Sequence, residues 1–254
     1  MPPFDAPLTL IGHRGAGAAN PDVPENSIRS FQAADALGAA WVELDVRKAA
    51  DGELVVCHDQ RLADGTPVRS LDAADLARKG IHRLEEVLAR LPGGLGIDLD
   101  VKNGVDDAVC PVADTTAARV ARIARGAATD RPVLLSSFDP ALRALAATVA
   151  PELPVGLLTW PPVPLRESVP TARRLGYDVL APWIGALRPD GTGPGGGGDE
   201  VRAQVAVARQ AGLQLLIWVA GPDDVPWLAE LGVEGVCVDD LPAVGARIQA
   251  LAAG

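Results

Sequence analysis

The chain has 254 residues, of which 48% are hydrophobic and 22% are charged, so it has the material for a large apolar core and is not predominantly disordered. Its formal net charge of −10 is opposite in sign to that of a surface that binds nucleic acid or an anionic membrane. A ligand that carries phosphate would need a local source of positive charge, for which a divalent cation is the simplest candidate.

Short apolar runs of strand length alternate with longer Ala-, Leu- and Arg-rich segments of helical period along the chain. The eight predicted strands are LTLIGHR from Leu8, AWVELDV from Ala40, GLGIDLDVK from Gly94, PVLLSSF from Pro132, PVGLLTW from Pro154, DVLAPW from Asp178, LQLLIWV from Leu213 and EGVCVDD from Glu234. Helical segments lie between them, and several end in the glycine that commonly closes a helix.

Eight units of strand and helix without an obvious linker predict an α/β fold, a single (β/α)8 TIM barrel that spans residues 1–254 as one domain. A doubly wound open sheet shares the alternation and is the alternative. Two stretches depart from the pattern. Residues 57–81 follow a short extra strand and predict a small excursion from the barrel, and the Gly-rich residues 188–200 predict a flexible connection or, less favoured, a mobile lid.

Charged side chains share one face of two predicted strands. Because side chains alternate along a strand, Glu43 and Asp45 point to one side of theirs, and Asp98, Asp100 and Lys102 point to one side of the other. The apolar residues between them must face the helices. These carboxylates and this lysine are therefore predicted inside the barrel, near the C-terminal ends of the strands.

Several like charges cannot share such a site unless some are protonated or a cation binds there. A bound divalent cation is the simpler solution, and a set of oxygen ligands suits Mg²⁺ or Ca²⁺ rather than zinc, whose sites usually recruit His or Cys. Structural ion pairs with Arg and Lys are the alternative interpretation of these carboxylates.

Two of the three histidines end predicted strands, His13 in GHRG and His58 in VCHD. Histidine has an unperturbed pKa near 6.5, which suits a proton shuttle, and two histidines beside a carboxylate cluster favour catalysis over a structural role. The third, His82, is expected at the surface.

Three tryptophans lie at or near the C-terminal ends of predicted strands: Trp160, Trp183 and Trp218. Aromatic walls at such positions bind glycerol or choline-like groups, but large residues also simply fill barrels. Trp218 is the strongest of the three as a pocket residue.

The remaining features bear on localisation. No apolar run approaches the roughly 18 residues that a membrane span needs, and the N-terminal residues do not have the pattern of a cleavable signal. Cys57, Cys110 and Cys237 are widely spaced and predict small buried thiols rather than disulfides or a zinc site. We therefore expect a soluble cytoplasmic protein with a small-molecule ligand, no nucleic-acid partner and no stable membrane insertion.

Four motifs resemble those of a known family: GHRG at residues 12–15, PENS at 24–27, GAAWVELDVRKAADGELVVCHD at 38–59 and DVK at 100–102. They are similar to the motifs of the glycerophosphodiester phosphodiesterase family, and the likeness extends through RLEEVL and SSF to the last predicted strand. It covers essentially the whole predicted barrel.

The resemblance implies a metal-dependent hydrolase that cleaves glycerophosphodiesters to glycerol 3-phosphate and an alcohol. It also implies that the substrate's own glycerol hydroxyl attacks first and forms a cyclic phosphate that water then opens. The matching positions are Glu43, Asp45 and Asp100 for the metal, His13 and His58 for the acid and base, and Arg14 and Lys102 for the phosphate.

Three positions depart from the family pattern. Asp100 stands where the family commonly has Glu, WVAG at 218–221 where it has WTVN, and Val238 and Asp239 where it has Thr-Asp. These changes keep the catalytic set but alter the pocket, so the alcohol of the substrate is not carried over from the family. A phospholipase D-like enzyme acting on lysophospholipids and a catalytically weak barrel that binds phosphate esters are the alternatives.

Overall fold

The computed structural model describes residues 2–16, 22–161, 163–188 and 198–253. Its core is a closed barrel of eight parallel strands: β1 (Thr9–Gly12), β2 (Trp41–Lys48), β4 (Gly96–Val101), β5 (Val133–Ser137), β6 (Val155–Thr159), β7 (Val179–Pro182), β8 (Gln214–Trp218) and β9 (Gly235–Val238). A short strand, β3 (Leu54–Val56), pairs antiparallel with β2. Because β1 pairs with both β2 and β9, the sheet has closed on itself, which confirms the predicted barrel and contradicts the open sheet.

Helices alternate with the strands: α1 (Ile28–Ala36), α2 (Ala73–Ala77), α3 (Leu84–Leu88), α4 (Thr116–Ala127), α5 (Leu142–Ala147), α6 (Leu165–Leu175), α7 (Gly198–Gln210), α8 (Val225–Leu231) and α9 (Leu241–Ala252). As predicted, α6 and α8 each end at a glycine in the left-handed conformation, Gly176 and Gly232. No helix among the described residues is both long and apolar enough to span a membrane.

The alternation of side chains on β2 explains how the barrel holds a charged interior. Val42, Leu44 and Val46 are completely buried in the main core between strands and helices. A second, smaller apolar cluster fills the barrel itself, and Phe4 packs on Trp41 at the N-terminal end with ring centroids 5.2 Å apart. The charged side chains of β2 and β4 therefore lie above this apolar floor, toward the C-terminal ends of the strands.

The predicted excursion is present after β3. Residues 57–81 contain a 3-10 turn at Val68–Ser70 and helix α2, which pack with Val55 into a third, separate apolar cluster. The two ends of the excursion meet at its base, where the amide of Val56 donates to the carbonyl of His82 over 2.9 Å. Helix α2, five residues long, has no counterpart among the predicted elements, because it lies within the stretch that departs from the strand–helix alternation.

The cysteines differ in burial. All three cysteines are free, and Cys237 is buried, but Cys57 and Cys110 are only half-buried, so the prediction of three buried thiols is wrong for those two. Cys57 directly follows β3, and Cys110 lies in the segment between β4 and α4. The Gly-rich connection predicted at 188–200 falls largely on residues 189–197, which lie outside the described residues.

Candidate active site

A cavity of about 230 Å³ opens at the C-terminal end of the barrel. The charged side chains of β2 and β4 form one part of its wall, and both strand-end histidines form another. The sequence-predicted site residues that line it are His13, Arg14, Glu43, Asp45, His58, Asp100, Lys102 and Trp218. The structure thus brings all eight together around one space.

The carboxylates are arranged in two layers by the register of the parallel strands, which pairs Glu43 with Asp98 and Asp45 with Asp100. Glu43, Asp45 and Asp100 are all buried, and each offers a carboxylate oxygen that lies within 4.8 Å of the other two. Asp98 does not join this cluster of described residues and instead accepts a 2.7 Å hydrogen bond from the hydroxyl of Ser136.

Positive and polar side chains compensate Asp45 most completely. The ammonium of Lys102 lies 3.0 Å from Asp45 Oδ1 and also contacts Asp100, and the Arg14 guanidinium lies 3.5 Å from Asp45 Oδ2. The amide of Asn26 donates to the same Oδ2 over 2.7 Å. By contrast, Asp100 Oδ1 is buried and has no hydrogen-bond partner among the described residues.

These surroundings separate the pKa values of the acids. Burial, reinforced by the charges of Asp45 and Asp100, raises the pKa of Glu43 well above its usual value. Burial likewise raises the pKa of Asp100 to about 6 and that of Asp98 to about 7. Burial alone would also raise the pKa of Asp45, but Lys102 and the hydrogen bond from Asn26 bring it below its usual value.

This donor set fits a hard divalent cation. Three buried carboxylates converge within ligand spacing, and one of their oxygens, Asp100 Oδ1, is buried without a partner. A cation bound between them would use that oxygen and favour ionisation of Glu43 and Asp100, the two cluster members whose pKa values are raised by burial. Glu43, Asp45 and Asp100 are therefore the residues that would hold a metal ion.

His13 is held by a residue from the opposite end of the chain. Its Nδ1 lies 2.5 Å from Oδ1 of Asp239, just after β9, and the hydrogen bond lowers the pKa of that carboxyl. A carboxylate at this position keeps the proton on Nδ1 and leaves Nε2 as the atom that can accept or donate a proton.

His58 has a similar but more exposed arrangement. Its Nδ1 lies 2.8 Å from Oδ1 of the neighbouring Asp59, whose side chain is 76% exposed. The guanidinium of Arg47, on β2, donates two hydrogen bonds to the backbone carbonyl of His58, at 2.9 and 2.6 Å. This contact ties the residue that follows β3 to the rigid barrel.

The turn after β1 places Arg14 through an uncommon backbone conformation. Arg14 has a φ of 53°, and its amide donates to Glu43 Oε2 over 2.9 Å. Gly15 follows with a φ of 84°, and a Cβ there would lie 2.4 Å from the Ser30 hydroxyl, so only glycine fits. The GHRG motif therefore encodes a turn that anchors Glu43 and delivers Arg14 to the cavity.

One wall of the cavity is aromatic. Phe138 stacks on Trp160 with ring centroids 4.1 Å apart and meets Trp218 edge-on at 5.9 Å. The indole N–H of Trp218 donates to the carbonyl of Ala181, which fixes the ring against β7. Trp183 was grouped with Trp160 and Trp218 from the sequence, but it does not line the cavity and packs against the main core instead.

Sequence reasoning missed four residues that shape this site: Asn26, Arg47, Phe138 and Asp239. Asn26 lies within the PENS motif and Phe138 within SSF, but neither motif by itself indicates what these side chains contact. Asp239 stands out in the sequence only as part of a departure from the family pattern. Asn26 has a left-handed backbone with a φ of 56°, a conformation that Asn adopts more readily than most residues. An Asn just before α1 was therefore a usable signal for a tight turn at this position.

Comparison with known sequences agrees with the motifs. The family model described as "Glycerophosphoryl diester phosphodiesterase family" matches residues 13–243. A Mycobacterium tuberculosis protein, named probable glycerophosphodiester phosphodiesterase 2, is 31% identical over 246 residues, which cover 90% of this chain and 86% of that protein. A glycerophosphodiester phosphodiesterase of Caldanaerobacter subterraneus subsp. tengcongensis is 26% identical over 250 residues, covering 91% and 93%.

Comparison with solved structures agrees with the fold. A glycerophosphodiester phosphodiesterase from Parabacteroides distasonis superposes with a TM-score of 0.76 at 20% identity, covering 97% of this chain and 99% of that one. An Oleispira antarctica phosphodiesterase, solved with the product sn-glycerol-3-phosphate, superposes with a TM-score of 0.74 at 22% identity, covering 96% and 97%. At these identities the likeness establishes the barrel and nothing more.

Proposed function

The chain belongs to the glycerophosphoryl diester phosphodiesterase family, and on that premise we propose that it hydrolyses glycerophosphodiesters to glycerol 3-phosphate and an alcohol, with a divalent metal and two catalytic histidines. Its enzyme class is phosphoric diester hydrolase. The observation that carries the proposal is the cluster of Glu43, Asp45 and Asp100, which lies in one cavity with His13 and His58.

Arg14 and Lys102 bind the phosphate in this proposal. Both are positively charged, both line the cavity, and both are held in place by Asp45. Their charges stabilise the negative charge that develops on the phosphoryl oxygens as a new P–O bond forms and the old one breaks. Glu43, Asp45 and Asp100 would hold the metal ion, which would supply further positive charge to the phosphoryl group when bound.

The histidines move the protons. One takes the proton of the attacking hydroxyl at its Nε2, and the other gives a proton from its Nε2 to the alkoxide that leaves. The carboxylates of Asp239 and Asp59 stabilise whichever imidazole becomes charged. When the substrate's own glycerol hydroxyl attacks, the first product is a cyclic phosphate, and the same two groups with reversed roles serve the attack of water.

The aromatic wall completes the binding site. Trp160 is 63% exposed at the mouth of the cavity and Trp218 lies deeper, so the two rings with Phe138 offer a continuous apolar surface. Such a surface packs against the carbon skeleton of a glycerol unit while hydroxyls and phosphate face the charged wall.

The test is release of glycerol 3-phosphate from glycerophosphocholine and glycerophosphoethanolamine by protein treated with EDTA and then supplied with Mg²⁺, Ca²⁺ or Mn²⁺. Release that stops with EDTA and returns with one of these metals is expected. Release that EDTA does not affect would contradict the metal dependence, since turnover would then not need a cation held by the carboxylate cluster.

Two further measurements separate the alternatives. Hydrolysis of lysophosphatidylcholine in place of glycerophosphocholine would assign the phospholipase D-like activity. Tight binding of glycerol 3-phosphate without turnover of any diester, with every metal supplied, would assign a binding protein built on the same barrel.

A further inference from the structure

A second cavity, of about 220 Å³, lies beside the active site on the side of the excursion. We call it the basic pocket, because five basic side chains line it: Arg47, Lys48, Arg61, Arg69 and Lys102. Among the described residues of its wall, Asp106 is the only carboxylate. This concentration of positive charge contrasts with the net charge of −10 of the whole chain.

The two lysines of the basic pocket are already neutralised. Lys48 lies 3.1 Å from an oxygen of Asp106 and 2.6 Å from one of Asp107. Lys102 contacts the carboxylates of the active site, as described above. The available positive charge of the pocket therefore comes from its arginines.

The three arginines have no acidic partner. Within the ranges that the structure describes, Arg47, Arg61 and Arg69 form no ion pair, and the hydrogen bonds of Arg47 and Arg61 go to backbone carbonyls. Burial lowers the pKa of Arg47, and the nearby charges of Asp45, Asp100 and Asp59 offset this shift only in part. Three guanidinium groups that form no ion pair among the described residues line one concave surface, and an oxyanion bound between them would relieve their mutual repulsion.

The basic pocket is connected to the active site. A groove between them is lined by Arg47 and Gln60, which belong to the pocket, and by His58 and Trp160, which belong to the catalytic cavity. Lys102 lines all three spaces. One molecule can therefore place a phosphodiester at the carboxylate cluster and extend past His58 into the basic pocket.

We propose that the basic pocket binds a second anionic group of the substrate, a phosphate or a carboxylate. This group belongs to the alcohol part of the diester, which extends past His58 into the pocket. This inference rests on the proposed function and narrows its substrate class to diesters with an anionic alcohol. Arg61 and Arg69 determine the specificity, because they line the pocket and neither lines the catalytic cavity.

The experiment uses two matched pairs of substrates with the metal-loaded protein. Glycerophosphoinositol 4-phosphate differs from glycerophosphoinositol by one phosphate, and glycerophosphoserine differs from glycerophosphoethanolamine by one carboxylate. We expect kcat/KM to be at least roughly tenfold higher for the anionic member of one or both pairs, which is the effect of one charge-assisted contact. The pair that shows the preference identifies the anion as phosphate or carboxylate.

The double variant Arg61→Gln, Arg69→Gln tests the pocket. It should reduce the preference to within about twofold, mainly through KM of the substrate with the added phosphate or carboxylate, and leave kcat/KM of the member without that group unchanged. The double variant Arg173→Gln, Arg174→Gln is the matched control, because both residues are exposed arginines on α6 that do not line the pocket and the substitutions remove the same two charges. The control should keep the wild-type preference.

The outcomes distinguish failure of this inference from failure of the proposed diesterase activity on which it rests. Equal kcat/KM within both pairs, or an equal loss of preference in the double control variant on α6, would overturn the anionic subsite while leaving the diesterase activity intact. No hydrolysis of any of the four diesters with any metal would overturn the proposed function and this inference with it.

Discussion

Oδ1 of Asp239 lies 2.5 Å from Nδ1 of His13, although 226 positions separate the two residues in the chain. Closure of the barrel between β1 and β9 is what brings them together. The other histidine, His58, receives its carboxylate from the adjacent Asp59 on an exposed segment. The two histidines therefore have the same type of partner with different degrees of burial.

This difference predicts unequal effects of removing the two charges. Asp239→Asn should lower kcat by roughly 10- to 100-fold, because the amide no longer stabilises a protonated His13. Asp59→Asn should lower kcat by less than about tenfold, since water already screens the exposed pair. Initial rates at saturating diester and metal measure both. A larger loss in Asp59→Asn than in Asp239→Asn would contradict the assignment of Asp239 as the stronger positioning residue.

Substitution of the two histidines that we propose as proton-transfer groups should separate catalysis from metal binding. His13→Ala and His58→Ala are each expected to abolish turnover and to leave metal affinity unchanged, because neither imidazole belongs to the carboxylate cluster. Glu43→Gln should lose both turnover and metal binding. Isothermal titration with the metal that supports activity, beside a turnover assay, measures the two properties. Wild-type rates in either histidine variant would refute the acid/base assignment.

Asp100 is the expected metal ligand with the buried, unpartnered oxygen. Asp100→Asn should weaken metal binding by at least roughly tenfold, because a neutral amide replaces a carboxylate ligand. Asp100→Glu keeps the charge and restores the residue common in the family, so it should retain metal-dependent turnover. If the concentration of metal needed for half-maximal rate is the same in Asp100→Asn as in the wild type, Asp100 is not a ligand.

The buried acids predict the pH dependence of stability without metal. Asp98 and Asp100 have folded-state pKa values of about 7 and about 6, above the usual values of the unfolded chain, so the folded state binds their protons more tightly. Their contribution is complete at acidic pH and is lost as pH rises through those values. The melting temperature in EDTA should therefore fall between about pH 5.5 and about pH 8.

The carboxyls with lowered pKa values, such as Asp45, do not obscure this window, since they are ionised in both states above about pH 5. Saturating metal should flatten or reverse the slope, because a cation then takes the place of the protons. Scanning calorimetry at several pH values with and without metal measures the effect. A melting temperature in EDTA that rises across this range would contradict the prediction.

The backbone conformation of Val219 indicates a position where a substitution should stabilise the protein. It has a φ of 59°, a left-handed conformation that is unfavourable for a β-branched residue, and its side chain is 36% exposed. Val219→Asn should raise the melting temperature by roughly 2–4 °C, corresponding to about 1 kcal/mol of relieved strain. Val207→Asn is the control, because Val207 is an exposed valine in helix α7, where asparagine brings no gain. No difference between the two variants would show that Val219 is not strained.

The barrel and its charged interior could be predicted because both depend on local periodicity. The alternation of Glu43 and Asp45 with apolar neighbours fixes which face of β2 is inside, and the parallel register with β4 then aligns Asp45 with Asp100. All eight barrel strands were predicted for the same reason. The excursion was predicted as an interruption of this pattern, not as a structure.

What could not be predicted depends on contacts that carry no local signal. Asp239 reaches His13 only because the chain closes into a ring, and many loop residues could have met that histidine. Arg47 donates to a backbone carbonyl, which has no counterpart in the side-chain pattern. The stacking of Phe138 on Trp160 depends on the geometry of two loops from neighbouring strands.

The hydrogen bond between Val56 and His82 at the base of the excursion bears on how the substrate specificity of such an enzyme can change. A segment whose ends are joined by a hydrogen bond can be lengthened, shortened or exchanged without altering the frame that carries it. His58 would keep its position after such a replacement, since Arg47 on β2 holds its backbone carbonyl. New alcohol specificities could thus arise by replacement of residues 60–81 alone, in evolution or by grafting, while the apparatus that cleaves the phosphodiester is inherited unchanged.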